Sequence, residues 1–331
     1  MIPVEDNWLH IKHEFHEACS NLNNNSFIDN LMTFRNLGLF KLLLDKKYNG
    51  LSGHPQDFLE CILAIAEHDV TVAHEFAKIG SMPFLVQQFS EQTADLVYKD
   101  SPDEIIVKTN AEAPEYADWV IRTDAGSYML GRNYENFKPE HTISFRDLLD
   151  PQHDNYILRL SWFQLYNRVL VCSHLGGLQR IINVAMQHNT HQGFIGIAAQ
   201  ELDAMRLVMH RNINHALLHL KHNEQIPMFD RTKYKLQASV VPANVINCVS
   251  EFCYLSEEIE SIIDKLEQLD LEHLIDEHLD GVNHIEQLKG NNSTDLFLWW
   301  LFGYIIRYHF LFHFIVFFTA VLGSNIRTKR F

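Results

Sequence analysis

Apolar residues recur at three- and four-residue spacing through most of this chain, and the residues that break helices are scarce, with 14 glycines and 9 prolines in 331 positions. That spacing lays an apolar stripe along one side of a 3.6-residue helix. Phe58, Ile62, Leu63, Ile65 and Ala66 make one such stripe, and Leu202, Met205, Leu207, Met209 and Ile213 another. The exception is 103–150. There, short β-prone runs at 104–109, 118–123, 127–130 and 141–145 alternate with turn formers such as Asp124-Ala125-Gly126. The predicted fold is mainly α, with two helical segments flanking a small β insert. The expected domains are an N-terminal helical domain over 1–102, a β domain over 103–150, a C-terminal helical domain over 151–290 and a hydrophobic C-terminal helix over 291–331.

Composition narrows the partners. A hydrophobic content of 47% supplies a sizeable core and excludes a disordered chain. A net charge of −15, from 42 acidic against 27 basic side chains, repels phosphate backbones, so no nucleic acid partner is expected. Cys19, Cys61, Cys172, Cys248 and Cys253 are scattered, odd in number and without a Cys-x-x-Cys pair. They read as reduced thiols in a cytoplasmic protein. The opening MIPVEDNWLHIKHEF places acids and histidines where a secretory signal needs a basic patch and then an apolar run, so export by that route is not expected.

Three loops punctuate the helices. Asn23-Asn24-Asn25-Ser26 offers Ser26 as an N-cap, 49–55 has the glycines and the proline of a tight loop with Pro55 suited to a first helical turn, and Asn291-Asn292-Ser293-Thr294 precedes the hydrophobic tail. No internal repeat is found.

Several short motifs occur in a telling order. Phe34-Arg35-Asn36-Leu37-Gly38-Leu39-Phe40 is followed by Tyr48-Asn49-Gly50-Leu51 and then by Ile65-Ala66-Glu67-His68-Asp69. Later come Leu175-Gly176-Gly177-Leu178, Gly193-Phe194-Ile195-Gly196 and Gln200-Glu201-Leu202-Asp203-Ala204-Met205, with Tyr116-Ala117-Asp118-Trp119-Val120-Ile121 between the two sets. Over about 20–215 this order resembles the acyl-CoA dehydrogenase family, divergent and with a reduced β domain. The resemblance implies a flavin-dependent oxidoreductase acting on an acyl thioester, with FAD as cofactor and a homo-oligomer, or a hetero-oligomer with a homologue, as the assembly. It equally admits a catalytically inactive family member serving as a structural or regulatory subunit.

In the family FAD takes a hydride from the β-carbon while a glutamate removes the α-proton. One family position for that glutamate falls here on Tyr166-Asn167-Arg168, and the other falls in an apolar C-terminal run, so neither supplies a carboxylate. The family's Arg-x-x-Phe-Gly places Gln192 and Phe194 at the cofactor position, with an amide in place of the guanidinium. The Thr-Glu-x-x-x-Gly-Ser-Asp segment of the family's β domain has no counterpart. No catalytic residue is assigned.

Other constellations stand apart from that resemblance. His215, His219 and His222 fall on one helical face and could hold a metal with Glu224, although a polar helix face explains them more simply; no metal is assigned. His188 and His191 beside Gln192 read as a polar loop or a cleft lining. Residues 295–322 are long and apolar enough for membrane contact, yet Arg307, His309 and His313 also suit a buried or subunit-forming helix. The acidic stretch 256–287 reads as a solvated amphipathic helix pair.

Overall fold

The structure, a computed structural model, describes residues 6–22, 25–149, 151–188, 192–250, 252 and 255–269. The expected helix over 291–331, the loop at 291–294 and most of the acidic stretch 256–287 lie outside the described residues.

The N-terminal helices are α1 (Asp6–Ser20), α2 (Phe27–Asn36), α3 (Pro55–Ala66), α4 (Val70–Phe89) and α5 (Glu91–Tyr98). Their starts follow from local chemistry. Ser26 accepts the Asp29 amide, His54 and Asp57 form a reciprocal capping box ahead of Pro55, and Asp69 accepts the amides of Thr71 and Val72. Each satisfies donors that the first turn leaves without an intrahelical partner.

The β insert is a four-stranded sheet in the order β1 (Ile106–Lys108), β2 (Trp119–Asp124), β3 (Ser127–Arg132) and β4 (His141–Ser144). β1 runs parallel to β2, and the remaining pairs are antiparallel, with Trp119 opposite Arg132 and Tyr128 opposite Ile143. These strands overlap the four β-prone runs of the sequence. The β2–β3 connection turns through Ala125 and Gly126, both at positive φ. A short helix α6 (Phe145–Leu149) follows.

The second helical segment contains α7 (Trp162–Gln187), α8 (Gln192–Lys221), α9 (Met228–Ser239), α10 (Val241–Val249) and α11 (Glu257–Gln268). α7 is the central helix. It packs on α3, α4 and α8 to α11. By length and composition it could cross a membrane, but 78% of its most apolar window is buried inside the protein, as for a core helix.

The Gly176-Gly177 pair explains that packing. A Cβ on Gly176 would lie 2.4 Å from the Ala66 Cβ and 2.6 Å from the Leu63 carbonyl oxygen, so only glycine lets α7 come this close to α3. Gly177 gives the same clearance to Val70 and Leu266. The motifs at 34–40 and 48–51 are likewise architectural. Gly38 takes the left-handed conformation after α2, and Gly50 leaves no room for a Cβ beside the Leu44 carbonyl. Cys19, Cys61 and Cys172 are buried and outside any disulfide. Burial pushes Cys19 up to about 12, so it behaves as a small hydrophobe rather than a nucleophile.

Candidate functional site

The stretch that the resemblance aligns with a catalytic carboxylate lies in the first half of α7, facing the sheet and α9. Tyr166 and Arg168 are both buried there. The Arg168 guanidinium is 1% exposed, donates from Nη1 to the Gln164 carbonyl and sits over the Tyr234 ring of α9, 5.4 Å from its centroid. Its Nε has no hydrogen-bond partner among the described residues. Burial pulls its pKa down to about 10, against smaller opposing effects of Tyr234 and Cys172. The stretch 166–168 thus carries a buried cation and no carboxylate.

The seam between the sheet and α7 is aromatic. Tyr128, Phe145 and Phe163 form a triangle with centroid separations of 4.7, 5.5 and 6.2 Å, and Trp162 stacks on Tyr166 at 4.5 Å. Lys108 of β1 reaches into this seam, its Nζ 5.4 Å from the Tyr128 centroid and 5.7 Å from that of Tyr166. Across the two central strands Arg132 stacks on the buried Trp119 at 4.0 Å.

Gln192 and Phe194 stand elsewhere, in the first turn of α8. Gln192 is exposed and Phe194 is 45% exposed. Gly193 and Gly196 flank Phe194, and a Cβ on either would meet nothing within 4 Å. Among the described residues, the backbone amides and macrodipole of this helix start suit an anionic group, next to exposed Phe194 and Ile197. These residues and the α7 stretch are therefore not brought into one pocket within the described residues. The cleft lined by Arg35, Lys41, Tyr98 and Glu104 offers about 10 Å³, room for roughly one water.

The histidine readings separate as well. His188 ends α7, and His191 lies outside the described residues. His215 and His219 share a face of α8 as their spacing predicts, whereas His222 is exposed past its end. The neighbour that completes their cluster is Asp230, on α9. Nothing in local spacing marks it, because the turn that folds α9 back onto α8 intervenes. His74 and His174 form a second polar feature absent from the sequence reading. Both are buried, on α4 and α7.

Comparison with known proteins places this architecture. No family model matches the sequence, and no curated protein matches it. The fold, however, is similar to that of solved structures. The HsaA monooxygenase from M. tuberculosis superposes with a TM-score of 0.71 at 13% identity, over 84% of this chain and 96% of that one. XiaF from Streptomyces sp., in complex with FADH2 and glycerol, gives 0.66 at 12% identity over 83% and 94%. TdsC from Paenibacillus sp. A11-2, with FMN and indole, gives 0.56 at 13% over 78% and 87%. The chain has the acyl-CoA dehydrogenase-like fold, and the similar structures include a monooxygenase and proteins holding FADH2 or FMN.

Proposed function

We propose that the protein is a flavin-dependent oxidoreductase of the monooxygenase type, using a reduced flavin to oxygenate a planar, largely apolar substrate. The observation that carries this reading is the nearly end-to-end backbone likeness to flavin monooxygenases, spanning 96% of the HsaA chain. The lack of a carboxylate at 166–168 supports oxygenation over dehydrogenation. Dehydrogenation of an acyl thioester needs a carboxylate at the α-carbon, and the buried guanidinium on α7 cannot accept that proton. Oxygenation needs no such base on the chain.

The start of α8 is where the residues present would suit part of a flavin. The first turn of α8, with Gln192 and the uncrowded Gly193 and Gly196, would hold the phosphate group, and Phe194 would lie against its apolar portion. When bound, the flavin would supply the redox and oxygen chemistry. Whether the nucleotide is FAD or FMN is an outcome of the binding experiment. A second copy of the chain would complete the site from the α8 side, where Phe194, Ile197, Leu207 and Leu218 are exposed apolar residues.

A second reading, a catalytically silent relative acting as a subunit of an active homologue, is favoured by one observation, the dense filling of the sheet–α7 seam. Both readings are separated by supplying the full-length protein with enzymatically reduced FMN or FAD, indole as a planar probe and ¹⁸O₂. Incorporation of one ¹⁸O atom into product supports the monooxygenase. Oxidation of an acyl thioester with a dye acceptor and no oxygen incorporation would restore the dehydrogenase, and inertness in both assays would leave the silent subunit.

A further inference from the structure

The last turns of α8 and the first turn of α9 bring together His215, His219 and Asp230. Each offers one ligand atom, and these atoms lie within 4.8 Å of one another. Ligands of one zinc ion, at about 2.0–2.2 Å from the metal, are roughly 3–4 Å apart, so small rotations of these side chains suffice to close the set. The two rings are already held edge to face, with centroids 4.7 Å apart.

A second observation points the same way. The Nδ1 of His219 is 2.8 Å from Glu224 Oε2, and the Nδ1 of His215 is hydrogen-bonded to the hydroxyl of Tyr234. With Nδ1–H donated to these oxygens, the lone pair of each ring resides on Nε2. Outer partners of this kind, a carboxylate or an oxygen acceptor on the far nitrogen, orient metal-bound histidines and raise their basicity. Tyr234 is itself fixed, being 3% exposed and stacked under Arg168. His219 and Asp230 are half-buried and His215 is exposed, which leaves the remaining coordination positions to water.

We propose that His215, His219 and Asp230 form a divalent transition-metal site of the zinc class that clasps α8 to α9. Two imidazoles and one carboxylate suit zinc and its neighbours, and are a poor set for magnesium or calcium, which take oxygen ligands. The site is independent of the flavin reading, since it involves neither the start of α8 nor the sheet. It also differs from the triad suggested by spacing alone, because Asp230 replaces His222.

The test is calorimetric titration of the metal-free full-length protein with ZnCl₂ in excess Mg²⁺, with far-UV circular dichroism of each variant to establish folding. One zinc per chain is expected for the native protein, together with a rise in Tm. His219→Gln and Asp230→Asn should weaken it by at least about tenfold, and Glu224→Gln by a smaller factor, while His222→Gln binds like the native protein. No stoichiometric zinc binding, or native affinity in Asp230→Asn, would overturn the proposal. So would an equal loss in His222→Gln.

Discussion

Two imidazoles buried between α4 and α7 should make this fold acid-sensitive well above the carboxylate range. His74 is 9% exposed and His174 2%, and neither Nδ1 has a hydrogen-bond partner. Burial lowers the His74 pKa to about 3, helped by Lys78 and by His174, and burial lowers that of His174 to about 4. The unfolded chain takes up a proton at each position as pH falls through about 6.5, while the folded protein does not. Stability is therefore complete above about pH 6.5 and is lost as pH falls. At pH 5.0 the solution is about 1.5 units below the unfolded pKa, which at about 1.36 kcal/mol per unit costs about 2 kcal/mol per histidine, or about 4 kcal/mol for both. Burial raises Glu67 and Glu104 and so works in the opposite sense, which makes the comparison between proteins more informative than one pH curve. Urea unfolding at pH 7.5 and 5.0 should show that His74→Gln/His174→Gln loses about 4 kcal/mol less between the two pH values than the native protein does. A double variant with the native pH dependence would refute the linkage.

Other substitutions probe the packing. Gly176→Ala drives a methyl into Ala66 and the Leu63 carbonyl and should cost about 1–3 kcal/mol in chemical denaturation, whereas Gly193→Ala, whose Cβ meets no described atom within 4 Å, should change stability by less than about 1 kcal/mol. Asp69→Ala removes the acceptor for Thr71 and Val72 and the ion pair with Lys265, and should lower stability by about 1–2 kcal/mol, read from the urea midpoint.

The division into helical and β regions was legible because periodicity and turn chemistry are local. The β-prone runs at 104–145 became four strands, and Ser26 and Pro55 took the helix-start positions expected of them. The resemblance was carried largely by residues that shape the backbone, notably Gly38, Gly50, Gly176 and Gly177, and each proves to be a turn or a helix contact. That is why the fold could be read while the chemistry could not. Burial of Arg168 depends on α9, the histidine pair joins residues one hundred positions apart, and Asp230 meets His215 only after a reversal of chain direction. None of these leaves a mark in spacing. Gln192 and Phe194 share a helix turn, but their relation to a cofactor comes from the resemblance and not from a pocket.

The most direct measurement is equilibrium binding of oxidised and reduced FMN and FAD to the full-length protein, with Gly193→Asp beside it. The introduced carboxylate suits the helix N-terminus but repels a phosphate placed there, so the variant should stay folded. Saturable binding of one flavin per chain, weakened at least about tenfold in Gly193→Asp, is the predicted result. Absence of saturable binding in either redox state would contradict the flavin reading, and equal affinity in the variant would remove the start of α8 from the site.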